Sequence, residues 1–141
     1  MERNCGMWIN ILSHEIKKYI NAQLSAMGIT GVQGFVLNYI ILHNAAGPVF
    51  QKDVEDAFSL NRSTATGILQ LLEKGGFLRR EPVPYDARLK RLIPTEKAAC
   101  LDAKMTENLR HVEQRLTQGL TSAQIVQFKE TAACMSANLA G

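Results

Sequence analysis

The sequence predicts a mainly α-helical protein with one short β-hairpin, in which longer helices flank a helix-turn-helix. Apolar residues recur every three or four positions through most of the 141 residues, which is typical of helices. Two of these helical patterns are separated by only the three residues 59–61, as in helix-turn-helix units. Two short extended runs, residues 77–83 and 89–95, follow a Gly-Gly pair and predict the hairpin.

The first two helices are predicted at residues 7–27 and 31–44. The first has a broad apolar face, formed by Trp8, Ile11, Leu12, Ile16, Tyr19, Ile20, Leu24 and Met27. Thr30 and Gln33 precede the second at capping-box spacing, in which each side chain accepts a backbone hydrogen bond. The second helix should stop before Gly47-Pro48.

The next two helices form the helix-turn-helix. The third, residues 51–58, presents Val54, Ala57 and Phe58 to a core. Asn61 is suited to cap the fourth. The inward positions of the fourth helix are Ala65, Ile68, Leu69 and Leu72. Its end is predicted at Gly75-Gly76.

Two long helices complete the chain after the hairpin. Thr95 should cap a helix through about residue 118, with an apolar stripe of Leu101, Met105, Leu109, Val112 and Leu116. Thr121 and Gln124 repeat the capping-box spacing. They open a last helix that carries Ile125, Phe128, Ala132, Met135 and Leu139. The apolar stripe of the helix that follows Thr95 is more typical of a core than of a binding pocket. Because this stripe extends beyond the small helix-turn-helix and hairpin, much of this core is expected to lie between two subunits.

Composition and charge narrow the class of protein. With 46% hydrophobic residues, the chain can build the core of one folded domain. The formal charge of +3 is unevenly distributed, since residues 61–95 hold seven basic and three acidic side chains. A local positive field attracts polyanions such as nucleic acid. The total charge alone does not indicate a nucleic-acid partner, but its concentration in residues 61–95 favours one for this segment.

The cysteines and the apolar runs predict a cytoplasmic location. Cys5, Cys100 and Cys134 form no CxxC pair, and an odd number argues against a disulfide framework. No secretory signal pattern and no apolar run of roughly 20 residues is present. We therefore expect a soluble intracellular protein with no membrane partner.

The outward face of the fourth helix is suited to the major groove of DNA. Its residues are small or able to form hydrogen bonds: Arg62, Ser63, Thr64, Thr66, Gly67 and Gln70. Short hydroxyl side chains let the helix approach the base edges, while Arg and Gln can bind guanine or adenine in bidentate fashion. An ordinary solvated helix face would instead carry mixed Glu and Lys.

The hairpin adds a second DNA-binding feature. Arg88 lies next to the predicted tip, where a guanidinium can enter the electronegative minor groove. Asp86 is expected to pair with a nearby arginine and fix the shape of the hairpin. Basic residues alternate along the two runs, so that some face the DNA backbone: Arg79, Arg80, Lys90 and Arg91.

The run from Gln51 to Ala98 resembles the winged helix-turn-helix core of the MarR family of bacterial transcription regulators, and the order of helices along the whole chain resembles that family too. The family signature in the wing is Asp, one residue, Arg, and a closing Leu-Thr. Asp86, Arg88 and Thr95 match it, but Pro94 stands in place of Leu. Because proline has no N–H to donate, the last strand is expected to end early. Gly67 also departs from the family, in which many members carry Arg.

The resemblance implies a single MarR-type domain over residues 1–141, with a winged helix-turn-helix core at 30–95 and dimerisation helices at 1–29 and 96–141. It implies a homodimer that binds a pseudo-palindromic operator in double-stranded DNA, with recognition helices about 34 Å apart. The recognition helix, about 61–74, would lie in the major groove and the wing, about 77–95, in the minor groove. The function expected is that of a repressor relieved by a small-molecule effector.

Three kinds of sensing are compatible with such a regulator. An effector pocket would be lined by Trp8, His14, Met27, Phe35 and Tyr39, all of which fit a plain core equally well. The peroxide-sensing branch of the family has a cysteine near the position of Cys5, but this chain lacks the tyrosines that accompany it at the start of the second helix. Zinc ligands could come from His14, His43, Glu107 and His111, yet no two histidines lie four residues apart. No metal or cofactor is therefore predicted.

Two other functions, a protein-binding winged helix and an enzyme, fit the sequence less well. A winged helix that contacts protein would not need the basic hairpin. An enzyme would need a glycine-rich phosphate loop, an activated nucleophile or a metal cluster, and the sequence contains none of these. The prediction is thus a DNA-binding regulator that is not an enzyme.

Overall fold

The computed structural model describes residues 2–141. It is mainly helical with a two-stranded antiparallel hairpin, which confirms the predicted fold class. The helices are α1 (Cys5–Ala26), α2 (Gly31–Asn44), α3 (Gln51–Phe58), α4 (Arg62–Lys74), α5 (Glu96–Thr117) and α6 (Ser122–Ala140), and the strands are β1 (Leu78–Val83) and β2 (Asp86–Pro94). The predicted bounds of the first five helices match those of α1 to α5 to within two residues at each end, and the bounds of α2 and α3 are the same as predicted.

The chain divides into two compact units, residues 1–108 and 109–141. The first unit holds the hydrophobic core, which α1 to α4, the hairpin and the start of α5 all supply. Its most deeply buried side chains are Leu24, Val36, Leu37, Ile40, Val54, Leu69, Leu72 and Leu92. Asn38 of α2 also donates to Asp102 Oδ1 of α5 at 2.9 Å. The segment predicted to bind DNA therefore rests on a continuous core.

Helix starts follow the predicted caps. Thr30 Oγ1 accepts from the Gln33 amide at 3.2 Å, and Gln33 Oε1 accepts from the Thr30 amide at 3.1 Å. Thr121 and Gln124 form the same reciprocal pair. Each pair satisfies amides that have no partner within the helix. The predicted capping boxes are confirmed.

The turn between α3 and α4 is tight because Ser59 adopts a left-handed conformation, with φ 52°. The Leu60 amide then donates back to the Glu55 carbonyl at 2.9 Å. At the other end of α4, Gly76 has φ 81°, and the Phe77 amide donates to the Leu72 carbonyl. These two turns define both ends of α4.

The hairpin is tighter and longer than predicted. Its loop is only Pro84-Tyr85, since Val83 already pairs with Asp86. The expectation that Pro94 ends the second strand early is wrong, because β2 continues to Pro94, opposite Leu78. Proline lacks an N–H only at its own position, and the Thr95 amide beyond it donates to the Phe77 carbonyl at 3.1 Å.

Two contacts fix the hairpin on the helical body. The Leu92 amide donates to the Val49 carbonyl at 2.7 Å, as an isolated bridge to the segment before α3. A guanidinium N–H of Arg91 donates to Asn44 Oδ1 at 2.8 Å. The position of β2 is therefore set both by the end of α2 and by the segment that precedes α3.

In the second unit, α6 has no buried residue over its length. Phe128 is 62% exposed and Leu139 is 91% exposed. Within residues 2–141, no single helix is long and apolar enough to cross a membrane; α1 and α2 meet that criterion only as a pair, bent by 81°.

Candidate nucleic-acid interface

Helix α4, the predicted recognition helix, begins at a well-formed cap. Asn61 Oδ1 accepts from the Thr64 amide at 2.8 Å. Arg62, Ser63 and Thr64 are exposed in the first turn. The buried side of the helix is formed by Ala65, Leu69 and Leu72, with Ile68 partly buried. The predicted division between an inner apolar face and an outer polar face is confirmed.

Gln51, the first residue of α3, bridges to the recognition helix. Its Nε2 donates to Thr66 Oγ1 at 2.9 Å and to the Arg62 carbonyl at 3.4 Å. The first bond is partly buried, and it joins residues 15 positions apart. Because Gln51 holds the Thr66 hydroxyl, only part of the hydrogen-bonding capacity of Thr66 is left for a base.

The wing places one guanidinium far into solvent. The Arg88 side chain is 93% exposed. Asp86 Oδ1 accepts from the Arg88 backbone amide at 2.9 Å and from Arg88 Nε at 3.3 Å. The predicted pairing of Asp86 with a nearby arginine is confirmed, and the partner is Arg88. The carboxylate aligns the base of the side chain, and the outer nitrogens of the guanidinium point beyond it.

A concavity of about 630 Å³ lies between α3, α4 and the wing. Its lining residues are Phe50, Gln51, Lys52, Glu55, Arg62, Thr66, Gln70, Glu73, Arg80, Arg88, Leu89 and Lys90. Five of these side chains are cationic and two are acidic, so the surface is positive. A positive concave surface of this kind concentrates polyanions.

Two sets of contacts join α4 to its neighbours at its C-terminal end. Arg80 Nε of β1 lies 3.2 Å from Glu73 Oε1. Lys97 Nζ of α5 donates to the Gly75 carbonyl at 2.7 Å. The Lys97 cation is favourable there because the C-terminal end of a helix carries a partial negative charge. Thr95 Oγ1 donates to the next carbonyl, that of Gly76, at 2.6 Å. Both the wing and α5 are thereby tied to the recognition helix.

The concavity brings together five of the predicted DNA-binding residues: Arg62, Thr66, Gln70, Arg88 and Lys90. Ser63 and Thr64 lie on the exposed first turn of the same helix. Arg79 does not line the concavity, and its guanidinium pairs with Glu81 at 3.2 Å. Asp86 does not line the concavity either, but its carboxylate holds Arg88, which does.

Gln51 and Lys52 also line this concavity, but neither was predicted from the sequence. The available signal was the short turn between α3 and α4, which brings the start of α3 against the recognition helix. Spacing along the chain does not show which side chain makes the contact.

The five effector candidates lie apart from this concavity. Met27 and Tyr39 are partly buried against the hydrophobic core, and the Tyr39 ring stacks on His43 at 4.0 Å and meets Phe58 edge-on. Trp8 and Phe35 are about half exposed, and His14 is exposed. Two of the five therefore have core contacts and three reach solvent.

The structure also shows the surroundings of the candidate metal-binding and redox-active residues. Across residues 2–141, the structure gathers no group of three or more His, Cys, Asp or Glu side chains able to hold a metal ion. Cys5 is the first residue of α1 and does not precede it as predicted, because Asn4 caps the helix from one residue earlier. Cys5, Cys100 and Cys134 are all free and exposed.

Comparison with known proteins matches this architecture to one family. Residues 27–89 match the model of the MarR family, and they span the helix-turn-helix and the wing as far as Leu89. Over this segment the chain is similar to the MarR family. It is 28% identical over 137 residues to YwhA of Bacillus subtilis, described as an uncharacterized HTH-type transcriptional regulator, with 93% of this chain and 94% of YwhA covered.

Solved structures agree over nearly the whole chain. MepR, a transcription regulator of the Staphylococcus aureus multidrug efflux pump MepA, has a TM-score of 0.87 at 24% identity, covering 97% of this chain and 99% of MepR. A MepR mutant bound to an oligodeoxyribonucleotide has a TM-score of 0.75 at 25% identity, covering 98% and 99%. A mutant of MarR from E. coli scores 0.77 at 21% identity, covering 96% and 98%. YwhA and MepR are described as transcription regulators, and this chain is similar to both.

Proposed function

We propose that this chain is a transcription regulator of the MarR family: a homodimer that binds a pseudo-palindromic operator in double-stranded DNA and represses transcription until a small-molecule effector releases it. In this proposal α4 and its cap, residues 61–74, enter the major groove, and the wing, residues 77–95, enters the minor groove. The dimerisation helices are those at 1–29 and 96–141, around a DNA-binding core at 30–95.

One observation carries the DNA-binding proposal: the 93% exposed Arg88 side chain, held by Asp86, shares a positive concavity with Arg62 and Gln70 of the recognition helix. A narrow minor groove has an enhanced negative potential that attracts an inserted arginine. A braced guanidinium loses less conformational freedom on binding than a free one. Arg62 and Gln70 can meanwhile donate to base edges or phosphates.

The homodimer proposal is supported by apolar faces that each unit leaves exposed. In α6, Phe128 and Leu139 of the predicted stripe are 62% and 91% exposed. In α1, the exposed apolar residues are Met7, Trp8, Ile9 and Leu12. Apolar surface of this kind marks interaction sites, and a two-fold symmetric partner presents the same surface in return.

The effector proposal is supported by aromatic rings that remain accessible. Trp8 is 48% exposed and Phe35 is 46% exposed, while Tyr39 and Met27 lie at the border of the core. His14 offers a polar group on α1. Such a mixture of aromatic surface and a few polar groups is typical of small-molecule sites.

The DNA-binding proposal is tested with DNA selected by the protein itself from a random double-stranded library. Arg88→Ala should weaken binding to the selected DNA by about tenfold or more at fixed salt, as expected for the loss of a specific arginine contact. Lys104→Ala, which removes the same charge from the exposed face of α5, is the matched control and should stay within about twofold. Equal affinities of Arg88→Ala and the parent protein would contradict the wing assignment. Failure of the parent to enrich any sequence would contradict DNA recognition itself.

The homodimer proposal is tested by light scattering after size-exclusion chromatography. Phe128→Glu places a charge in the exposed apolar stripe of α6 and should convert dimer to monomer at micromolar concentration, since a buried unpaired charge costs several kcal/mol. Val126→Glu is the matched control, because Val126 is 55% exposed but lies on another side of the same helix. A monomeric parent protein would contradict the proposal.

A further inference from the structure

Gly67 lies in the middle of α4, and nothing in the fold requires a glycine there. Its φ is not in the left-handed region, and a Cβ built on it would meet no atom within 4 Å. At Gly34 of α2, in contrast, a Cβ would lie 3.1 Å from Met105 Cε. Glycine is, after proline, the least favourable residue inside a helix. Gly67 therefore weakens α4 without a compensating contact in the chain.

The surface around Gly67 is neutral and partly apolar. The side chains one turn away on either side belong to Ser63, Thr64, Gln70 and Leu71. Leu71 is 57% exposed, although Leu69 and Leu72 beside it are buried. The partly exposed backbone at Gly67 thus lies between the side chains of Thr64 and Leu71 on one face of the helix, and we call this surface the Gly67 notch.

The chemistry of the notch favours a methyl group over a phosphate. A phosphate needs N–H or cationic donors, and the amide of a residue inside a helix is already bonded to the carbonyl four residues earlier. Thr66, the adjacent hydroxyl, accepts from Gln51 at 2.9 Å. In the major groove the characteristic apolar group on a base edge is the 5-methyl of thymine.

We propose that the Gly67 notch receives the 5-methyl group of one thymine in each half-site, and that Gly67 is a specificity-determining residue because a side chain there would hold the helix away from that base. This inference rests on the proposed function of α4 as a major-groove recognition helix. It assigns a base preference to a position that carries no side chain.

The experiment replaces each thymine of the library-selected DNA, one symmetric pair at a time, by deoxyuridine, which lacks only the methyl group. Binding is measured by fluorescence anisotropy at fixed salt. For the parent protein, one position in each half-site should weaken binding by about fourfold per methyl lost, the value expected for burial of one such group. Gly67→Ala should bind the thymine form about fivefold or more weakly and should no longer distinguish thymine from deoxyuridine there.

Two further variants separate binding from folding. Gly67→Ala should raise the thermal unfolding midpoint by about 3 °C, because alanine is the better helix former. Leu42→Ala, at a 62% exposed position of α2 outside the proposed DNA interface and the proposed dimerisation helices, should leave binding to DNA unchanged. Leu71→Ala removes one wall of the notch and should reduce the preference for thymine over deoxyuridine.

The outcomes distinguish this inference from the proposed function. If the parent protein enriches a sequence but shows no thymine preference at any position, or if Gly67→Ala binds as tightly and keeps that preference, the notch assignment is overturned while DNA recognition stands. If the parent enriches no sequence, the proposed function fails, and the notch assignment fails with it.

Discussion

Replacing Gln51 by leucine is expected to loosen the attachment of α3 to the recognition helix. The change removes the donor of the 2.9 Å bond to Thr66 and of the 3.4 Å contact to the Arg62 carbonyl. A neutral hydrogen bond contributes about 0.5–1.5 kcal/mol net, and the 3.4 Å contact is long enough to add little. Because both side chains are only partly buried, we expect the free energy of unfolding to fall by about 1 kcal/mol.

A double-mutant cycle isolates this bond. Thr66→Val removes the acceptor and should also lower the free energy of unfolding by about 1 kcal/mol. The double variant should lose about 1 kcal/mol and not about 2 kcal/mol, because both changes remove the same interaction. The assay is urea unfolding followed by circular dichroism. Gln70→Leu, at an exposed position of the same helix, is the control and should change stability by less than about 0.5 kcal/mol. If the two single losses add to within about 0.3 kcal/mol, the proposed coupling between α3 and α4 is refuted.

Two other substitutions test the local structure. Asn61→Ala removes the oxygen that accepts from the Thr64 amide at 2.8 Å, and thermal unfolding should show a loss of about 1 kcal/mol; an unchanged midpoint would mean that the cap is not formed. Gly34→Ala should also lower stability by about 1 kcal/mol in urea unfolding, since its Cβ would lie 3.1 Å from Met105 Cε and crowding outweighs the gain in helix propensity. A more stable Gly34→Ala variant would show that the Met105 side chain moves away from the new methyl group at little cost in free energy.

The helices could be predicted closely because their signals are local. Capping boxes at Thr30 and Thr121 each lie within four residues of the helix that they start. The inward positions of α4 follow from a 3.6-residue period that one helix contains in full. Asp86 and Arg88 are two residues apart, so their contact could also be predicted from the chain itself. Local spacing was therefore enough for the elements and for the braced arginine.

The contacts that position the interface join distant residues and could not be predicted in this way. Gln51 meets Thr66, and Arg91 meets Asn44, 47 positions away. The wrong expectation at Pro94 has the same origin. The missing N–H of one residue is a local property, whereas the length of β2 depends on its pairing with β1 on the other strand and on the bond from Thr95 to Phe77. Pairing outweighed the local effect of proline.

The recognition helix is held at both ends by different parts of the chain, and this determines how a structural change can reach it. Asn61 and Gln51 hold the N-terminal turn, while Lys97 and Thr95 at the start of α5 hold the carbonyls at its C-terminal end. A displacement of the start of α5 therefore moves the end of α4 with it unless these two hydrogen bonds break. Because Glu73 of α4 is also paired with Arg80 of the wing, the recognition helix and the wing move together. A displacement of the start of α5 that leaves these contacts intact therefore shifts α4 and the wing together, without changing their arrangement relative to each other.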